Sequence, residues 1–233
     1  PEAVDTVYCL TELGGWSTVD PHGHRHVTVN IGEKGLAWRT LRVSGTPGHG
    51  SMPFGADNAL VKAAEIVRRL AEHRTAPTVG EVWRAQVESF GLPAELRDAL
   101  LSPEHLDATL ATLPVAIARS CHALTHTTIS PNVAHGGQKT NTIPDAVDIE
   151  VDIRTVPGTT RADVEAMLAE VLGDLAPHVA VVELQHSDAT MSPTDTPLWD
   201  TIARQTQVAY PDARLVPGVV VGGTDARFYR DRG

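Results

Sequence analysis

The clearest period along this chain is two. Val147, Ile149, Val151 and Ile153 alternate with Asp148, Glu150, Asp152 and Arg154, the pattern of a strand buried on one face and wet on the other. Arg154 therefore falls on the polar face, where an arginine is ordinarily solvated or paired with a neighbouring acid. A second alternation sets Trp38, Thr40 and Arg42 against Arg39, Leu41 and Val43. It predicts a strand over Ala37–Ser44 whose inward face is ambiguous. Val27–Gly32 and Val179–Leu184 are further strand-like runs, and Val4–Leu10 reads as a short buried strand. Val216–Val221 is apolar apart from Pro217 and Gly218, which suits a buried parallel strand.

Elsewhere the period is helical. Leu60, Ala63, Ala64, Val67, Leu70 and Ala71 mark a helix that Asp57 or Asn58 can cap. Thr160 and Asp163 form a capping-box pattern ahead of the stripe Val164, Met167, Leu168, Val171, Leu172 and Leu175. Leu198, Ile202 and Val208 suggest a helix within 195–210. Residues 77–113 are polar, helical and broken by Pro93 and Pro103, and read as an insertion. Ser120–Ser130, rich in Thr and His, reads as extended.

From Ala37 to Leu184 the order is strand, helix, inserted helices, two strands, helix, strand. Two strand-helix-strand halves predict a four-stranded antiparallel sheet with helices on one face. The first residues and the tail then form two halves of another sheet. The expected organisation is α/β: segments 1–36 and 188–233 make one domain, and 37–187, carrying the helical stretch 77–113, is inserted in it. Because the chain starts at Pro1 and stops at Gly233, directly after a strongly patterned segment, it is expected to be an internal piece of a longer protein.

Charge narrows the partners. A formal net charge of -10 argues against nucleic acid or an anionic membrane, and an aromatic content of 4% against a base-stacking platform. Cys9 and Cys121 lie in apolar, strand-like contexts and read as buried free thiols, with the cytoplasm as the expected compartment. No apolar run is long enough to span a bilayer, and no signal-peptide pattern is found at Pro1.

Candidate chemistry gathers at turns. Gly45-Thr46-Pro47-Gly48-His49-Gly50-Ser51-Met52-Pro53 presents one histidine between a strand and a helix. Taken alone, such a histidine simply faces solvent. Glu12 stands ahead of Gly14-Gly15, and Gly222-Gly223-Thr224 follows an apolar run, both positions where open α/β sheets take ligands. His22, His24 and His26 would share a strand face, but Pro21 and Gly23 make a hairpin turn of them, so they are not read as a metal or catalytic site.

Several separated motifs agree on one family. They are Thr11-Glu12-Leu13-Gly14-Gly15, Glu33-Lys34-Gly35, Gly48-His49-Gly50-Ser51 with Pro53, and Asn58-Ala59. Further along come Gly136-Gly137 with Asn141-Thr142-Ile143-Pro144, Asp152-Ile153-Arg154 with Pro157-Gly158, and Gly222-Gly223-Thr224-Asp225-Ala226-Arg227. Together they resemble the aminoacylase, acetylornithine deacetylase and glutamate carboxypeptidase family of di-zinc amidohydrolases. The resemblance implies a zinc-peptidase α/β domain interrupted by a ferredoxin-like lid, which also mediates homodimerisation. It implies hydrolysis of N-acyl amino acids or small peptides by a hydroxide held between two zinc ions, whose bound water has its pKa lowered to about 7. By the same resemblance Glu12 matches a zinc ligand, and His49 the lid histidine that reaches the partner's site and stabilises the oxyanion. Asn141 and Arg154 match groups that hold the substrate carboxylate, and Gly222, Gly223 and Thr224 line the pocket. Thr11 and Leu13 stand where many relatives have Asn and Gly. The family's remaining metal ligands have no counterpart and would lie before Pro1 and after Gly233, so the chain by itself is expected to be inactive. The alternative is a non-enzymatic dimerisation module.

Overall fold

A computed structural model describes residues 6–230. The hairpin β1 (Trp16–Val19) and β2 (Arg25–Glu33) leads through Lys34 into β3 (Gly35–Ser44), the two-residue β4 (Gly48–His49) and helix α1 (Ala59–Glu72). Four helices follow: α2 (Glu81–Ser89), α3 (Ala94–Leu100), α4 (Pro103–Leu110) and α5 (Val115–Thr125). Then come β5 (Thr128–Gly136), β6 (Thr142–Ile143), β7 (Ala146–Thr155), α6 (Arg161–Leu172) and a 3₁₀ turn over Gly173–His178. The rest is β8 (Val179–Ser187), β9 (Thr190–Met191), α7 (Pro197–Ala209), β10 (Arg214–Val220) and α8 (Ala226–Arg230). None of the described helices is long and apolar enough to cross a membrane.

The chain divides into two compact units, one of residues 35–75 and 127–188, the other of 1–34, 76–126 and 189–233. In the first, the inserted unit, the strand order is β5-β7-β3-β8, all antiparallel. Helices α1 and α6 cover one face and close a core with Ala37, Leu41, Val43, Ile149, Val151 and Ile153. Asn58 caps α1 by accepting the Leu60 N–H at 2.9 Å, and Thr160 and Asp163 form the reciprocal box that starts α6. The ambiguous alternation of β3 resolves with Arg39 on the buried face. Its guanidinium meets Glu183 Oε2 at 3.0 Å and the Gln185 carbonyl at 3.3 Å, so a charge sits among apolar neighbours because it is paired.

The flanking unit carries a second sheet of order β1-β2-β10, with β9 also on β2. β10 runs parallel to β2 and, among the described residues, takes only that neighbour, which is why Pro217 is tolerated in it. The helices of 77–113, expected within the inserted segment, pack in this unit instead. Trp83, Val87, Leu100, Leu106 and Leu110 form their own cluster, and Lys34 Nζ donates to the carbonyls of Ala123 (2.9 Å) and His126 (2.6 Å).

One strand expectation fails and another holds only at its end. Val4 and Asp5 lie outside the described residues, while residues 6–10 form no strand and leave Val7 and Leu10 exposed. Of the stretch Ser120–Ser130 expected to be extended, Thr128 to Ser130 open strand β5, and Ser120 to Thr125 is the end of α5. Cys121 and Thr125, four apart, bury together on its inner face, and the Thr125 hydroxyl donates to the Cys121 carbonyl at 2.8 Å. Cys121 is thus a buried helical thiol and Cys9 a half-buried one, both free.

Candidate functional site

The His49 turn is built by close approach of backbone. β4 pairs with β6, and the Gly50 N–H donates to the Asn141 carbonyl at 2.8 Å. A Cβ on Gly50 would come within 3.2 Å of the Asn141 backbone, and one on Gly45 within 2.5 Å of the Asp57 carbonyl. Those glycines let the loop lie flat against its neighbours and leave the imidazole exposed. The Ser51 main-chain N–H donates to His49 Nδ1 at 3.2 Å, and the Ser51 hydroxyl lies 2.7 Å from the same nitrogen. A main-chain N–H can only donate, so Nδ1 carries the lone pair. The ring proton sits on Nε2, pointing away from the turn as a donor suited to an oxyanion. Asn141 is exposed immediately beside it.

The β4–β6 pair is a two-stranded ribbon of its own, reached from the Ser44 end of β3, whereas Arg154 lies at the far end of the four-stranded sheet. In the register of β3 with β7, Ser44 faces Ala146 at the His49 end, and Leu36 faces Arg154. Eight steps of extended chain separate Ala146 from Arg154, about 26 Å. The guanidinium is held by Asp152, from Nε at 2.7 Å and Nη2 at 3.2 Å, and lies over the Trp38 ring with its carbon 5.5 Å from the centroid. One copy of the inserted unit therefore brings His49 and Asn141 together but keeps Arg154 apart from them.

The remaining candidates belong to the flanking unit. Gly222, Gly223 and Thr224 follow β10, and the Thr224 N–H donates to Glu33 Oε2. Glu33 is 1% exposed and also meets the Thr190 hydroxyl and Arg230 Nη1, each at 3.3 Å. Burial lowers the Arg230 pKa from its usual value, and the Glu33 charge opposes that shift. Glu12 is exposed, in a loop rather than at a strand end, and accepts the Asp225 N–H at 3.3 Å. So the structure joins Glu12 to the Thr224–Asp225 loop. Sequence reasoning missed Glu33 as the anchor of that loop. Its signal was a carboxylate at the next odd position after Val27, Val29 and Ile31, where the alternation of β2 calls for an apolar residue.

Metal ligation does not assemble from what is described. No group of three or more His, Cys, Asp or Glu side chains converges among the described residues, so Glu12 alone does not make a metal site. The hairpin histidines serve Asp20 instead. Its Oδ1 accepts the His22 and His24 N–H groups, both at 2.9 Å, and its Oδ2 meets the His24 and His26 rings at 3.1 and 3.3 Å. Burial alone would raise the Asp20 pKa, but these bonds outweigh it and hold the carboxyl well below the usual carboxylate range.

A lid-like antiparallel sheet inserted into a second α/β unit defines the class: the fold of the M20 metallopeptidases and amidohydrolases. The M20 family model described as a peptidase dimerisation domain matches residues 31–180, and the chain belongs to that family. Solved structures agree on the fold. The M20 family metallo-carboxypeptidase Sso-CP2 of Sulfolobus solfataricus superposes with a TM-score of 0.62 at 16% identity, over 91% of this chain and 50% of that one. The aminopeptidase PepT of Bacillus cereus gives 0.54 at 14% identity, over 88% and 43%. Among curated relatives, "Probable carboxypeptidase S-like 2" of Dictyostelium discoideum is 25% identical over 87% of this chain and 39% of its own length. "N-fatty-acyl-amino acid synthase/hydrolase PM20D1" of Xenopus tropicalis is 24% identical over 86% and 40%. The chain thus spans about two fifths of the length of these relatives.

Proposed function

We propose that the whole protein is a zinc-dependent amidohydrolase or peptidase that cleaves the amide bond of N-acyl amino acids or small peptides bearing a free carboxylate, and that it works as a homodimer. The observation that carries this reading is the separation of the two lid groups. A histidine with its donor N–H outermost stands in the ribbon beyond one end of the inserted sheet, and a forked guanidinium at the other end, where β7 alone spans about 26 Å from Ala146 to Arg154. A single active site cannot use both from one copy. A two-fold pair can, with the His49 and Asn141 end of one copy serving the site that holds the other copy's Arg154. Edge strand β8 supports pairing: among the described residues its outer side has no neighbour in the sheet, and Val181, Val182 and Leu184 are exposed. The substrate class is supported by the printed activities of the relatives, a carboxypeptidase-like protein and an N-fatty-acyl-amino acid synthase/hydrolase.

In this scheme Arg154 binds the substrate carboxylate, Asn141 adds a polar contact, His49 Nε2–H stabilises the tetrahedral oxyanion, and Gly222, Gly223 and Thr224 line the pocket. Glu12 is proposed as one zinc ligand of the whole protein. The described residues by themselves do not complete a ligand set for the metal. The test is complementation in the whole protein. His49→Ala and Arg154→Ala should each be nearly inactive on an N-acyl amino acid. Unfolded and refolded together, they should regain about a quarter of wild-type activity, since half of the pairs are mixed and each mixed pair keeps one intact site. A mixture no more active than its components overturns the shared-site reading.

A further inference from the structure

Arg154 is not a loose arginine on a wet strand face. Asp152, two residues earlier on the same face, takes Nε and Nη2 in a side-on fork at 2.7 and 3.2 Å. The same Asp152 Oδ1 accepts the indole N–H of Trp38, from β3, at 2.8 Å, and the Trp38 ring lies beneath the guanidinium. One carboxylate and one indole thus fix the arginine from the side and from below. The fork uses the edge formed by Nε and one Nη2 hydrogen. The end-on edge, with both Nη1 hydrogens and the second Nη2 hydrogen, faces away from Asp152. No acceptor among the described residues takes Nη1. That edge matches a planar carboxylate through two parallel bonds, which a lysine could not offer.

We propose that Asp152 and Trp38 are positioning residues, which hold the Arg154 guanidinium so that its outer edge reads the free carboxylate of the substrate. This rests on the reading of Arg154 as the carboxylate clamp. Asp152 acts through Arg154 and touches no substrate. Its own charge repels an incoming carboxylate, but from the far side of the guanidinium. Arg154 and Asp152 keep 24% and 30% of their side-chain surface exposed, so water screens that repulsion. Removing Asp152 therefore costs more in lost orientation than it gains in relieved repulsion. The untethered arginine must be ordered again at each binding event.

The experiment compares an N-acyl amino acid with its carboxamide analogue in the whole protein, for wild type, Asp152→Asn, Trp38→Phe and Arg154→Lys. Asp152→Asn should raise KM for the carboxylate about tenfold, keep kcat within about twofold and leave the carboxamide unaffected. Trp38→Phe, which keeps a ring but loses the N–H, should raise KM about threefold in the same selective way and carries the test if Asp152→Asn does not fold. Independently of activity, the Arg154 Nε–H should give a slowly exchanging ¹⁵N resonance in this chain that is lost in Asp152→Asn. If Arg154→Lys abolishes discrimination while Asp152→Asn and Trp38→Phe keep the wild-type KM, positioning is overturned and the clamp stands. If Arg154→Lys leaves discrimination intact, the clamp reading falls and the positioning role falls with it.

Discussion

Leu41, Ile66, Ile149 and Ile153 of the inserted unit have no exposed surface, whereas on the flanking unit's sheet Trp16 is 61% and Val19 55% exposed. The inserted unit packs two amphipathic helices on one face of four strands and closes a continuous core. The flanking unit buries Val27, Ile31 and Val216 within its sheet, and α7 buries no residue at all. Outside the helical cluster of Trp83, Val87 and Leu106, this unit relies on polar anchors: Asp20 under its hairpin, Lys34 on the α5 carbonyls, and Glu33 beneath the Thr224 loop. The difference teaches where each unit is fragile. A closed apolar core fails by cavity, and an anchored one by the loss of a single charged partner.

The largest effect should come from one change made in both units. Ile149→Ala removes a side chain from the closed core and should cost about 4 kcal/mol, while Ile31→Ala, on the central strand of the flanking sheet but 9% exposed, should cost about 2 kcal/mol. Urea unfolding followed separately in each unit measures both, and equal costs would break the comparison. Next, Glu33→Ala strips the acceptor from Thr224, Thr190 and Arg230 and leaves the half-buried Arg230 with the Ser192 and Thr190 hydroxyls but without its carboxylate. A cost of about 3 kcal/mol is expected. It should be read as faster hydrogen exchange over 222–230, with the amides of β7 unchanged; uniform acceleration in both units would show that the anchor is not local.

The smallest effect is a pH dependence confined to the flanking unit. His126 is buried, stacked on His122 with ring centroids 4.1 Å apart, and its Nε2 lies 3.1 Å from Asp107 Oδ1. Burial first, then the His122 charge, lowers its pKa below the ordinary 6.5; Asp107 pulls the other way and Lys34 adds to the lowering. An unfolded chain takes up a proton near 6.5 that the folded chain refuses. This contribution is thus complete above that pH and is lost as pH falls towards the folded value. Unfolding midpoints of the helical segment should drop between pH 7.5 and 5.5, and His126→Gln should flatten the drop. The same slope in both proteins would rule His126 out.

How much was legible follows from the same contrast. The alternation of β7 and the stripes of α1 and α6 were readable because one face of each meets a core and the other meets water. Residues 6–10 are apolar without being buried, so composition there imitated a strand. In α5 a run of Thr and His masked a helix whose inward positions are Cys121 and Thr125, neither a strong hydrophobe. Of the candidate site, the turn around His49 was legible from its glycines and prolines. The Asp152 and Trp38 brace on Arg154 was not, because Trp38 is more than a hundred residues from Asp152 in sequence.

The sequence by itself determined the local periods, the caps at Asn58 and Thr160, and the motifs that place the chain in its family, since these depend on neighbours within a turn or two. Only the tertiary structure decided that Arg39 faces inward, that the 77–113 helices pack with the flanking unit, and that Glu33 is an anchor. It alone decided, too, that the ribbon carrying His49 lies beyond one end of the inserted sheet and Arg154 at the other. Each of these rests on register or on pairing between distant strands. Local propensity is blind to both, because a strand's pattern fixes which faces differ but not which partner lies across from it.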